Sequence, residues 1–155
     1  MLDFMKDWLW VVLALLVLAG GFMLQRSGLL QAQAEREIVD VDCDIQATAC
    51  QLSLQALSEL EFSIQPRPFN AMQPLTLELK LLSGQPVNSA VKVRFEGLNM
   101  DMGFNQVNLE AISDRVYSAK AMLPACTAAE MFWHFHLLID LNDKAYDMRF
   151  PVVTR

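Results

Sequence analysis

The sequence predicts an all-β domain, an immunoglobulin-like antiparallel β-sandwich, carried behind one N-terminal transmembrane helix. Three observations lead there. Residues Trp8 to Leu24 are an unbroken apolar run. Beyond it, short segments alternate apolar and polar residues with a period of two, the mark of half-buried strands. Between those segments stand Pro66, Pro68, Pro74, Gly84 and Pro86, residues that punctuate strands with turns.

The run over residues 8–24 would make a helix of roughly 25 Å, close to the short end of what crosses a bilayer. Trp8 and Trp10 sit where indoles favour the headgroup level, and Lys6 can reach lipid phosphate. A cleaved signal peptide is the rival. Ala32-Gln33-Ala34 has the small-x-small form, and cleavage after Ala34 would free the domain. The run is longer than a usual signal core, and Asp3 offsets Lys6, so the anchor is preferred. Lys6 on one side against Arg26 and Arg36 on the other scarcely sets the orientation. Cys43 and Cys50, flanking a short polar loop, suit an oxidising compartment. Residues 1–7 are therefore expected in the cytoplasm, 25–37 as a connector, and 38–155 outside as one domain.

About 120 residues are enough for one real core and too few for two. From Glu35 onward sixteen acidic residues face ten Lys and Arg, and the whole chain carries a net charge of −6. An acidic surface repels polynucleotides, so no nucleic-acid partner is expected.

The strands can be taken in order. Leu60, Phe62 and Ile64 alternate with Glu61, Ser63 and Gln65, and Leu75, Leu77, Leu79 and Leu81 repeat the pattern. Val91, Val93 and Phe95 form a third strand, Val107 and Leu109 begin a fourth, and residues 116–122 a fifth. Residues 131–141 are the longest and most apolar, and Tyr146, Met148 and Phe150 close the set after Asn142-Asp143. The capping-box spacing of Thr127 and Glu130 predicts one helical turn before the long strand. Seven or so short strands with tight turns indicate the sandwich, and a small barrel is the alternative.

Three groups of residues could carry chemistry. Extending the alternation of Val91, Val93 and Phe95 puts Met100 and Met102 together on the outer face, roughly 7 Å apart. Neutral thioethers at that spacing suit a soft cation such as copper(I). A bulge at Gly97 would instead turn both methionines into core filler. His134 and His136 share one face of the long strand, a common way to present metal ligands. The plainer alternative is two partly exposed histidines satisfied by their neighbours. A Cys43–Cys50 bridge would close a loop of about eight residues and contribute roughly 2–3 kcal/mol. Cys126 is then the odd thiol, either buried, bridged to one of the other two, or a thiolate metal ligand. Asp40, Asp42 and Asp44 lack calcium-loop spacing and read as a solvated strand edge. No Ser/His/Asp arrangement, phosphate loop or C-x-x-C appears, so an enzyme is not expected.

These residues also carry a resemblance. The Cys43–Cys50 loop, the stretch Gly97 to Asn105 and the stretch Met122 to Cys126 resemble a group of bacterial single-pass envelope proteins related to the FixH/YtkA-like sandwiches. That resemblance implies an inner-membrane protein with its domain in the periplasm, working in copper supply and haem-copper oxidase assembly. His134 and His136 lie outside the shared pattern. The function expected is thus a non-enzymatic accessory protein in oxidase assembly or copper handling, with Met100 and Met102 as first ligands, His134 and His136 next and Cys126 last. Its partners would be the lipid bilayer and an inner-membrane or periplasmic protein. The alternative is a metal-free interaction module that docks onto a membrane complex through the helix and the apolar strip of Phe132 and Leu138, with the methionines packing.

Overall fold

Strand alternation becomes two stacked sheets in the computed structural model, which describes residues 36–54, 58–87, 89–125, 127–141 and 144–155. The expected helix over 8–24 and Cys126 lie outside those residues. Nine strands run β1 (Glu37–Asp40), β2 (Cys50–Leu54), β3 (Ser58–Gln65), β4 (Pro74–Leu81), β5 (Val91–Gly97), β6 (Asn105–Ser113), β7 (Val116–Met122), β8 (Met131–Leu141) and β9 (Lys144–Thr154). No helix occurs among the described residues, and the domain is all-β.

The hydrogen-bonded order is β1-β9-β8-β5-β6-β7-β4-β3-β2. β6 serves both layers. Its first half, through Leu109, pairs with β5, and its second half, from Glu110, pairs with β7. An irregularity between Ala111 and Ser113 falls in that second half, where extra twist helps the strand turn from one sheet to the other. Leu60, Phe62 and Ile64 of β3, the four leucines of β4, and Met131 through Leu141 at odd positions of β8 are all buried. Phe62 and Phe150 meet across the layers at 5.3 Å, and Phe135 takes Phe95, Phe69 and Trp133 as ring neighbours. Each such aromatic contributes about 1.5–3 kcal/mol by burial, so the core depends on the inward faces of β3, β4, β5, β8 and β9. The Trp133 indole donates to Thr154 Oγ1 at 3.0 Å, which satisfies the one polar atom it brings inside.

Four expectations change. β1 begins at Glu37, inside the expected connector, and pairs with β9 in parallel, so the sheet is not wholly antiparallel. β2 is a further strand at the opposite edge. Residues 127–130 form a bend in place of a helical turn. Most consequentially, β5 stops at Gly97, and residues 98–104 leave the ladder.

Candidate functional site

The outer face of the β5-β8-β9 sheet can be read in rows from its strand register. Lys92, Leu138 and Asp147 form one row, then Arg94, His136 and Arg149, then Glu96, His134 and Pro151. Phe132 and Val153 continue it, with Leu98 bonding through its amide to the Phe132 carbonyl. Lys92, Arg94 and Glu96 point outward because Val91, Val93 and Phe95 point inward, as the alternation requires.

His136 occupies the middle of this face, yet only 1% of it is exposed. Its Nδ1 stands 2.8 Å from Asp147 Oδ1, and its Nε2 stands 2.8 Å from Glu96 Oε2. Both ring nitrogens are thus taken up by carboxylate oxygens. Arg94 Nη2 also lies 3.3 Å from Nδ1, a longer contact than the 2.8 Å to Asp147. His136 therefore has no ring nitrogen left for a metal. His134 is half-buried, its ring 6.1 Å from that of His136, and it opens onto a small cleft with Asp40, Asp42 and Arg149. Among the described residues, no group of three or more His, Cys, Asp or Glu side chains is arranged to hold a metal ion.

Met100 and Met102 do not share a strand face. The chain has left β5 before reaching them, and they line a cleft of about 800 Å³ with Leu98, Asn99 and Phe104. Met100 is 38% exposed, whereas Met102 packs on the core. Gly97 explains the difference. A Cβ there would stand 2.5 Å from the Met100 carbonyl oxygen, 3.0 Å from Met102 Cγ and 3.2 Å from Met131 Cε. Only glycine lets the loop fold back this closely. Since position 97 continues the inward row of Phe95, Met102 and Met131 lie on the inner side of the sheet, opposite the histidines. Met102 and the two histidines are thus on opposite faces, with Met100 in the exposed loop.

The loop is held in place. Asn99 donates from Nδ2 to the Glu130 carbonyl at 2.9 Å and accepts from the Phe132 amide at 3.1 Å. Asp101 Oδ1 accepts from the Gly103 amide, and Asn105 Nδ2 donates to the Met102 carbonyl. Gly103, at φ +68°, takes the left-handed turn that a side chain would resist. Beside its polar Asn99 and Asp101, the loop exposes Leu98, Met100 and Phe104, the last 79% exposed, and Leu98 adjoins the exposed pair Phe132 and Val153. Leu138, expected in that strip, is buried. At the edge of the domain, Cys43 and Cys50 are joined as a disulfide with Cα atoms 5.9 Å apart.

Sequence reasoning missed Asp147, Arg149, Asn99 and Met131. The alternation of Tyr146, Met148 and Phe150 already sends Asp147 and Arg149 outward. Asn99 and Met131 had no signal, since their roles depend on the loop's return to β8. No protein-family model matches this chain, and no curated protein matches it either.

Proposed function

We propose that this is a non-enzymatic accessory protein of the bacterial inner membrane, tethered by residues 8–24, whose immunoglobulin-like domain holds a protein partner in the periplasm. The carrying observation is the apolar lip of Leu98, Met100, Phe104, Phe132 and Val153, which a monomeric domain has no reason to expose together. Asn99 fixes the lip before binding, so little ordering entropy opposes association. The occupant fits a protein surface with apolar anchors and a basic flank, because Asp101 and the half-exposed Glu96 edge the lip of a chain with net charge −6. The chain enters the described domain elsewhere. Arg36 bonds Asp140 and the Tyr146 carbonyl, and eight residues of β8, roughly 27 Å, separate Asp140 from Phe132. Assembly of a respiratory oxidase is the setting that the resemblance implies.

A photo-crosslinking residue at Phe104 in the full-length protein tests this in cells. The expected product joins it to an oxidase subunit or assembly factor and disappears with Leu98→Asp or Phe132→Asp. Crosslinks only to phospholipid, only to a second copy, or to nothing would overturn the reading.

A further inference from the structure

We infer that two copies of this chain join through the free edge of β2, extending one sheet across a two-fold axis at Leu52. β2 ends the hydrogen-bonded order, with β3 on one side and no strand on the other. The direction of its backbone groups follows from the next strand. Glu59 of β3 accepts at its carbonyl from the amides of Leu82 and Ser83, just past β4, and its own amide donates to Ser83 Oγ. Backbone groups alternate sides along a strand, so those of Ser58, Leu60 and Phe62 point to β2. Their register partners Leu54, Leu52 and Cys50 point back, which leaves the amides and carbonyls of Gln51 and Ser53 facing outward. Among the described residues, nothing takes these backbone groups.

Edges of this kind are commonly blunted by charge or proline, and this one has neither. β2 reads Cys-Gln-Leu-Ser-Leu, and of the nine strands it alone carries no charged residue. Residues 45–58 hold no charge and no proline, in a chain where 19% of residues are charged. β1, at the opposite end of the order, carries Glu37 and Asp40. Laid antiparallel on itself with full overlap, β1 would set Glu37 against Asp40, acid on acid.

A second copy is the occupant that β2 fits. Its strand has five residues, so full antiparallel overlap sets Leu52 against Leu52 and pairs outward residues with outward ones. Gln51 then meets Ser53 of the second copy, once on each side of the axis, and each such pair exchanges two hydrogen bonds. Leu52 is half-buried and packs on the core, so the axial pair covers what remains exposed and carries the core across. On the outer face Gln51 Nε2 donates to Glu61 at 3.4 Å. The nearest acid in the same row of the second copy is Glu59, three strand spacings from Glu61. That is roughly 14 Å, beyond the screening length of about 8–10 Å, so acid repulsion scarcely opposes the pairing. The rival occupant, an extended segment of another protein, predicts a single copy in solution.

This edge is separate from the docking lip and does not rest on it. The experiment uses the full-length protein in detergent with Cys126→Ser, so that no free thiol competes. Sedimentation should give a dimer whose share rises with protein concentration. Ser53→Pro removes an outward amide from each copy and no bond to β3, a position where edge strands tolerate proline. It should weaken association at least about tenfold. Without any variant, the amide hydrogens of Gln51 and Ser53 should exchange at least about tenfold more slowly at dimer concentrations than when dilute. Leu52→Cys should form a disulfide-linked dimer on air oxidation, because about 4.5 Å between Cα atoms of a non-hydrogen-bonded pair lies within disulfide reach. Ile38→Cys on β1 should not, and Phe104→Asp should associate as the parent does. The inference falls if one copy persists at every concentration, or if Ser53→Pro associates as the parent does. It falls equally if the two amides exchange alike at both concentrations, if position 38 crosslinks as readily as position 52, or if Phe104→Asp abolishes the dimer.

Discussion

Each outer face of this domain carries a basic side chain between two acids, and the two arrangements differ in one respect. On the β5-β8-β9 sheet, His136 stands between Glu96 and Asp147. On the β3-β4-β7 sheet, Lys80 stands between Glu78 at 2.9 Å and Glu61 at 3.8 Å. The side chain of His136 is 2% exposed and that of Lys80 is 44%. Coulomb attraction is scaled by the surroundings, and so is the cost of removing a partner. The same arrangement of side chains is therefore structural on one face and contributes little on the other. His136 is buried because it sits on a central strand, between Arg94 and Arg149 of its two neighbours, whose long stems flank the ring.

Taking away His136 tests that contrast most severely. His136→Leu strands Asp147, which is 7% exposed and keeps Arg149 Nε at 3.8 Å as its one counter-charge among the described residues. The expected cost is about 3 kcal/mol, the scale for an uncompensated buried charge. Replacing His136 and Asp147 together by leucine should recover most of it, since a packed apolar pair serves as well as a buried ion pair. His134→Leu, two residues away on the same face, should stay within about 0.5 kcal/mol. Denaturant unfolding of the full-length protein measures all three, and equal costs for the two histidines would end the comparison.

The contrast also exists within the His136 cluster. Its Asp147 arm is buried, whereas Glu96 has a side chain 53% exposed and water available to replace the lost contact. Asp147→Asn is expected to cost about 1–3 kcal/mol, as for a buried polar group left poorly matched. Glu96→Gln is expected below about 1 kcal/mol, the range of exposed ion pairs. A reversal of that order, read from the same unfolding curves, would mean that the exposed arm holds the ring.

How far the sequence foretold this follows from where each residue stands relative to the ladder. Inside a strand, period-two alternation sorted Val91, Val93 and Phe95 from Lys92, Arg94 and Glu96 correctly, because pleating enforces it. Three and five residues past Gly97 the same rule misplaced Met100 and Met102, since nothing pleats a chain that has left the sheet. His134 and His136 look alike in sequence. They differ through Glu96, 40 positions from His136, and Asp147, 11 positions away, a separation that no local pattern encodes. β1 was hidden for another reason. Its four residues, Glu37 to Asp40, are mostly exposed and owe their strand form to pairing with β9, not to an apolar face.

Lys80 is the mild end of the comparison, and its pH dependence is the finest test. The hydrogen bond and charge of Glu78, opposed slightly by burial and aided by Glu61, hold its pKa above the ordinary 10.5. A group raised on folding stabilises fully below its unfolded value and loses that contribution as pH climbs through the folded one. Lys80→Met should therefore fall marginally below the parent at neutral pH, within reach only of replicate unfolding curves, and the two should converge once pH passes the lysine range. The small size follows from exposure. Water and salt screen both acids, and a flexible ammonium gives up entropy to stay between them. Should Lys80→Met cost as much as His136→Leu at neutral pH, burial would not be what separates the two faces.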